Sequence, residues 1–91
     1  MSKFTIVHPH TLPADEVRQR LDALSDKLTR YGIAAKWSSQ TEATFIRKGA
    51  SGSISCRSDK VVVDVDLSFM LTPMKSEVES RIKSELAKVL G

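Results

Sequence analysis

The clearest pattern in the chain lies in its last third, where the spacing of apolar residues changes within a few positions. Apolar side chains first recur at every second residue, through Val61, Val63, Val65 and Leu67. This period predicts a half-buried strand, because successive side chains of a strand point to opposite faces. The spacing then becomes three and four, which predicts a long amphipathic helix that follows with almost no loop. Its apolar stripe consists of Leu71, Met74, Val78, Ile82, Leu86 and Val89.

The first thirty residues show the same two periods in the same order. Alternation predicts a strand over Lys3–His8, which Pro9 ends because proline has no N–H for a sheet ladder. A helix is predicted from about Leu12 to Arg30, with Thr11 as its N-cap and Gly32 as its left-handed C-cap. The apolar stripe of this helix consists of Val17, Leu21, Leu24 and Leu28.

Three more runs with period two lie between residues 33 and 57, separated by polar turns, and Ser58–Asp59 forms a short reversal before the Val-rich strand. The order β-α-β-β-β-β-α predicts an α+β fold with a five-stranded, mainly antiparallel sheet. Five strands at ~4.8 Å make a sheet that two helices of ~10 Å diameter can cover on one face. Two strand orders remain open. The first strand lies either antiparallel beside the Val-rich strand, giving 2-3-4-5-1, or parallel beside the second strand.

The composition is typical of a small globular protein. The chain has 91 residues, of which 41% are hydrophobic and 27% charged, and this predicts one domain over residues 1–91. Cys56 is the single cysteine, which excludes an intramolecular disulfide and favours a reducing cytoplasm as the location. The N-terminal residues contain no long apolar run, so we expect neither a signal peptide nor a membrane span.

The charge balance is mildly basic, with a formal net charge of +3. The excess of Lys and Arg over Asp and Glu lies entirely in the half of the chain that ends at Lys48. Proteins dedicated to nucleic-acid binding usually carry a denser basic stripe. We interpret these cations as solvated surface and expect no DNA partner.

No group of residues matches a catalytic, cofactor or metal motif, and we therefore expect a protein that is not an enzyme and that has no cofactor or metal. His8 and His10 are too few for a metal site, and His8 alternates in phase with the apolar Phe4 and Ile6. Cys56 alternates in phase with Ile54, which predicts a buried and inert thiol.

Two further motifs have simple structural interpretations. Asp64 and Asp66 lie ~6.5–7 Å apart on a strand and point toward solvent, so they are interpreted as solubilising charges rather than as a catalytic pair. The segment from Lys48 to Gly52 resembles a phosphate loop but opens no helix and lacks the Gly-Lys-Ser/Thr ending. We expect a hairpin turn there.

The sheet face that the helices leave open is the remaining candidate for a functional surface. It is either a solvated antiparallel face or a contact surface for a ligand, a partner protein or a second copy of the chain. In the second interpretation the contact residues are Val7, Thr44, Ile46, Ser53, Ser55 and Val62. Phe69 and Met70, at the strand-to-helix corner, either extend this surface or close the edge of the core.

The chain also resembles a family of small bacterial proteins over essentially its whole length. The resemblance rests on the order and spacing of several short elements, which are His10-Thr-Leu12, Trp37, Phe45-x-Arg47, Gly49-x-x-Gly52-x-Ile54 and Val65-Asp-Leu67-Ser-Phe69-Met-Leu71-x-x-Met-Lys75. In these elements the chain is similar to the polyhydroxyalkanoic acid system family, also called the polyhydroxyalkanoate granule-region family.

The resemblance implies an association with the storage polyester and no particular chemistry. It implies a bacterial cytoplasm with polyhydroxyalkanoate granules, and an accessory protein that binds the granule, the polymer or a granule-associated protein. The family has no established catalytic residues, so no site residue follows from it.

Two functions of other classes remain open on the residues alone. A sheet backed by two helices is also typical of the double-stranded-RNA-binding domain, although such domains have a Lys cluster at the start of the last helix. This chain has Lys75 beside Glu77 in that region. A small-ligand carrier would require a cavity between the sheet and the C-terminal helix.

Overall fold

A computed structural model describes residues 2–30 and 32–91 of the chain. The strands are β1 (Ser2–Pro9), β2 (Ala34–Trp37), β3 (Glu42–Arg47), β4 (Ala50–Cys56) and β5 (Lys60–Leu67). The helices are α1 (Ala14–Arg30), between β1 and β2, and α2 (Lys75–Leu90), which follows a short 3-10 helix over Phe69–Met74. The element order β-α-β-β-β-β-α and the α+β class agree with the sequence analysis.

All neighbouring strands in the sheet are antiparallel, and their order is β1-β5-β4-β3-β2. This order confirms the first of the two arrangements, in which strand one lies beside the Val-rich strand. Both helices pack on one face of the sheet, because the buried side chains of β1 and β5 form one hydrophobic cluster with those of α1 and α2. The buried members of this cluster are Ile6, Val17, Leu21, Leu24, Val61, Val63, Val65, Leu67, Leu86 and Leu90.

Strand β1 continues beyond the predicted end at His8. Pro9 is paired with Lys60, and the N–H of His10 then donates to the carbonyl of Asp59 at 2.9 Å. Backbone groups of alternate residues point to opposite edges of a strand, so the nitrogen of Pro9 faces the outer edge, where no ladder partner exists. Pro9 is the last residue of the strand, so the strand ends one residue later than predicted, because proline is tolerated on an edge strand.

Helix α1 begins at Ala14 rather than at Leu12. Its first helical hydrogen bond runs from the N–H of Val17 to the carbonyl of Pro13 at 3.1 Å, which gives Pro13, and not Thr11, the N-cap position. Pro13 disfavours the α conformation of Leu12, and the N–H of Leu12 donates instead to Nδ1 of His10 at 3.2 Å. At the other end Gly32 has a φ of 79°, as predicted for a left-handed C-cap.

The strand-to-helix junction is more irregular than the spacing predicted. Pro73 lies inside the 3-10 helix, and proline both lacks an N–H and disfavours the α conformation of the residue before it. The regular α-helix therefore begins only at Lys75, and the expected stripe is incomplete. Leu86 is buried, as predicted, but Ile82 is only partly buried at the edge of the core.

Two aromatic side chains complete the packing under the helices. The ring of Phe45 lies against Gly52 on the neighbouring strand, where an added Cβ would collide with both the ring and the carbonyl of Asp64. The guanidinium of Arg18 lies 3.7 Å from the ring centroid of Trp37. Arg18 Nη1 also donates to the carbonyls of Ser39 and Gln40, each at 3.2 Å, so α1 holds the polar turn between β2 and β3.

Candidate functional site

The six residues predicted as a contact surface all lie on the sheet face opposite the helices. The strand register places Val7 beside Val62, and Val62 beside Ser55. Ser53 is likewise beside Thr44, and Ile46 is beside both Ala34 and Ser51. Because the neighbouring positions Val61, Val63 and Val65 are buried under the helices, the alternation along the strands turns these six side chains to the other side.

The aliphatic members of this open face form two separate groups rather than one patch. Val7 and Val62 are a cross-strand pair on β1 and β5, whereas Ile46 lies two strands from Val62 and toward the opposite end of the sheet. Strand spacing and rise put these two groups ~16 Å apart. Val7 is 55% exposed and Ile46 is 64% exposed. Any partner that contacts both groups must therefore span most of the sheet.

A polar row separates the two aliphatic groups. Thr5 Oγ1 donates to Asp64 Oδ1 at 2.6 Å, and Ser53 and Thr44 continue the row across β4 and β3. Within the described residues, the hydroxyls of Ser53 and Thr44 form no hydrogen bond to another protein group. These two hydroxyls are therefore free to bind the carbonyl or hydroxyl oxygens of a partner.

An ion pair lies at one end of this open face and a hydrogen bond at the other. Lys3 Nζ lies 3.9 Å from Asp66 Oδ2, and Ser55 Oγ donates to Glu42 Oε1 at 3.4 Å. Asp64 and Asp66 are thus engaged with β1 side chains in the same cross-strand rows, as expected of charges that solvate a sheet face. Their positions do not create the desolvated carboxylate pair that acid–base catalysis requires.

A partly open depression of about 590 Å³ adjoins one end of this face. Residues of β2, β3 and β4 line it, including Thr44 and Ile46, whereas Val7, Ser53, Ser55 and Val62 lie outside it. The depression lies at the sheet edge, away from α2. A ligand carrier would instead require a cavity between the sheet and α2.

The two histidines have separate structural surroundings. His10 is 8% exposed, and its Nε2 donates to the carbonyl of Arg57 at 3.0 Å while its Nδ1 accepts the N–H of Leu12. His8 Nε2 donates to the carbonyl of Gly91 at 3.3 Å. No cluster of three His, Cys, Asp or Glu side chains suitable for a metal occurs among residues 2–30 and 32–91.

Cys56 lies on the helix-covered face beside Val61 and is half-buried. Burial raises the pKa of its thiol, and the positive charge of Arg18 opposes this shift only in part. A thiol with a raised pKa carries little thiolate near neutral pH, and the thiolate is the reactive form. The thiol lies on the face that the alternation predicted, but it is half-buried rather than buried.

The corner formed by the 3-10 helix is an exposed apolar surface that the helical spacing did not predict. Phe69 is 82% exposed and Met70 is 84% exposed, and Met74 is 45% exposed. Phe69 and Met70 therefore do not close the edge of the core, which was one of the two expectations for them. Pro73 was the sequence signal for this result, because a proline four residues after Phe69 prevents the regular helix from starting there.

None of the helices in the described part of the chain combines the length and the apolar composition that crossing a membrane requires.

Comparisons with known proteins give one result that bears on function. Searches of curated proteins and of solved structures found no match to this chain. A family model matches residues 4–90, which is nearly the whole chain and includes every element of the resemblance noted above. The chain belongs to the family of polyhydroxyalkanoic acid system proteins.

Proposed function

We propose that the protein is a non-enzymatic accessory of the polyhydroxyalkanoate system that acts in the cytoplasm. In this proposal it binds the storage granule, its polymer or a granule-associated protein through the open face of the sheet. The family places the chain in this system. The main support for a contact surface on this face is that Ile46 is exposed beside the free hydroxyl of Thr44.

The chemistry of this face suits a polyester. Ester carbonyls accept hydrogen bonds but donate none, and Ser53 and Thr44 offer hydroxyl donors in one cross-strand row. The aliphatic groups on either side, Ile46 and the Val7–Val62 pair, can contact the hydrocarbon part of a polymer chain. A protein partner that adds a largely apolar surface would use the same residues.

The structure offers little support for the RNA-binding alternative. A double-stranded-RNA-binding domain has a basic cluster at the start of its last helix. The first turn of α2 instead contains one lysine, Lys75, together with the acidic Glu77.

The proposed contact is tested by Ile46→Glu. An exposed aliphatic side chain contributes within about 0.5 kcal/mol to folding, so the variant should keep its circular dichroism spectrum and melting temperature. At a dry interface the same change would bury an unpaired charge, which costs several kcal/mol. Tagged protein from polymer-producing cells should therefore move from the granule fraction to the soluble fraction.

Ala23→Glu is the matched control, because Ala23 is exposed on α1 and lies far from the open face. This variant should stay with the granules. Retention of folded Ile46→Glu in the granule fraction would show that the open face is not the contact surface. A loss of folding would instead show that Ile46 lies in the core and that the strand register is shifted by one residue.

A further inference from the structure

The 3-10 helix presents an apolar corner that no contact within the described chain explains. We define this apolar corner as Phe69, Met70 and Met74. Two adjacent large side chains with more than four-fifths of their surface exposed are unusual in a small globular protein, where contiguous apolar surface commonly marks a binding site.

The backbone under this corner is held firmly on both sides. The N–H of Ser68 donates to the carbonyl of Gly49 at 2.8 Å, and Thr72 Oγ1 donates to the carbonyl of Ser68 at 3.2 Å. Leu71, between the exposed residues and Pro73, turns inward against Gly49 and the core. Phe69 and Met70 are therefore displayed on an anchored turn, which reduces the entropy lost when they insert into an apolar phase.

The surroundings of the apolar corner carry positive charge. The turn that contacts Ser68 and Leu71 follows directly after Arg47 and contains Lys48, both of which are exposed. Lys75 follows Met74 on the other side. None of these three cations forms an ion pair with a carboxylate among residues 2–30 and 32–91, and the acidic side chain of the adjoining helical turn is Glu77.

Exposed Phe and Met side chains beside unpaired cations are the combination found where proteins lie on an anionic lipid surface. We propose that this apolar corner inserts Phe69 and Met70 into an anionic phospholipid surface while Arg47, Lys48 and Lys75 contact the headgroups. This site shares no residue with the six contact residues of the open sheet face, and the inference does not depend on the proposed function. It gives the protein a second attachment, to a lipid layer rather than to a polymer or a protein.

Flotation of the full chain with vesicles of phosphatidylglycerol and phosphatidylcholine tests the site. The protein should float with vesicles rich in phosphatidylglycerol and much less with pure phosphatidylcholine, and added salt should weaken binding. The double variant Phe69→Ser/Met70→Ser should lower the partition coefficient at least about tenfold. It should keep the parent melting temperature, since both side chains are exposed.

Two further variants distinguish lipid binding at the apolar corner from lipid binding elsewhere on the protein. Lys48→Gln/Lys75→Gln should reduce binding to phosphatidylglycerol and its salt dependence without unfolding the protein. Ala23→Ser, at an exposed position of α1 away from the apolar corner, should bind vesicles as the parent does. The proposal is overturned if the parent protein does not float, if the Phe69/Met70 variant floats as well as the parent, or if neutral vesicles bind equally well. It is also overturned if the Phe69/Met70 variant changes the molecular mass in solution, since the corner would then be a contact between two copies of the chain.

Discussion

The two faces of β5 have opposite environments although their residues alternate along one strand. Val61, Val63 and Val65 are at most 3% exposed and pack under both helices. Between them, Val62 pairs with Val7, and Asp64 accepts a hydrogen bond from Thr5. The covered face is stabilised by removal of apolar surface from water, whereas the open face is stabilised by cross-strand pairs and hydrogen bonds. Mutations one residue apart should therefore differ greatly in their effect on folding.

The largest difference is expected between Leu67→Ala and Val62→Ala. Leu67 is 1% exposed, so its truncation leaves a cavity and should lower the free energy of unfolding by roughly 2–5 kcal/mol. Val62 is half-buried on the open face, and loss of its cross-strand contact with Val7 should cost at most about 1 kcal/mol. Urea unfolding of both variants measures the difference. Equal midpoints would show that the two faces are equally buried in solution.

A smaller but still substantial effect is expected where the covered face has no room. Gly52→Ala would place a Cβ against the ring of Phe45 and the carbonyl of Asp64. Overpacking of this kind typically costs about 1–3 kcal/mol, and a backbone neighbour cannot move aside as a flexible side chain can. Ser53→Ala, at the next position but on the open face, should be close to neutral. Thermal melting of the pair tests the assignment, and a Gly52→Ala variant as stable as the parent would contradict the packing of Phe45 over Gly52.

An effect of similar size at most is expected at the two histidines, of which His10 is buried and His8 half-buried. His10→Ala removes two hydrogen bonds and leaves the carbonyl of Arg57 and the N–H of Leu12 without their side-chain partner. This should lower the free energy of unfolding by roughly 1–3 kcal/mol. His8→Ala removes one longer bond to Gly91 and should cost less. Chemical denaturation ranks the two variants, and the reverse order would show that the turn after β1 does not depend on His10.

The arrangement of the open sheet face could be predicted only in part. Alternation along the strands assigned Val7, Thr44, Ile46, Ser53, Ser55 and Val62 to one face, and the observed register agrees. Their separation into two aliphatic groups, however, depends on which strands are neighbours and how they are aligned. Spacing along the chain carries no information about a distance across β4.

The local sequence also predicted the start of α1 and the buried residues of α2 only in part. The side chain of His10 accepts the N–H of Leu12 just before α1, and its other nitrogen donates to the carbonyl of Arg57, 47 residues away. Ile82 has the correct spacing for the core but lies at its edge. Both results depend on where α1 and α2 rest on the sheet, which helical spacing does not specify.

The sequence by itself determined the element order, the α+β class and the face to which each strand residue points, because hydrophobic periodicity is a local property of the backbone. Its short motifs also determined the family. Only the tertiary structure decided between the two strand orders, divided the open face and left Phe69 and Met70 outside the core. The physical reason is that these features arise from contacts between residues far apart in the chain, such as Gly49 with Ser68 and Leu71, and close packing admits only one arrangement of them.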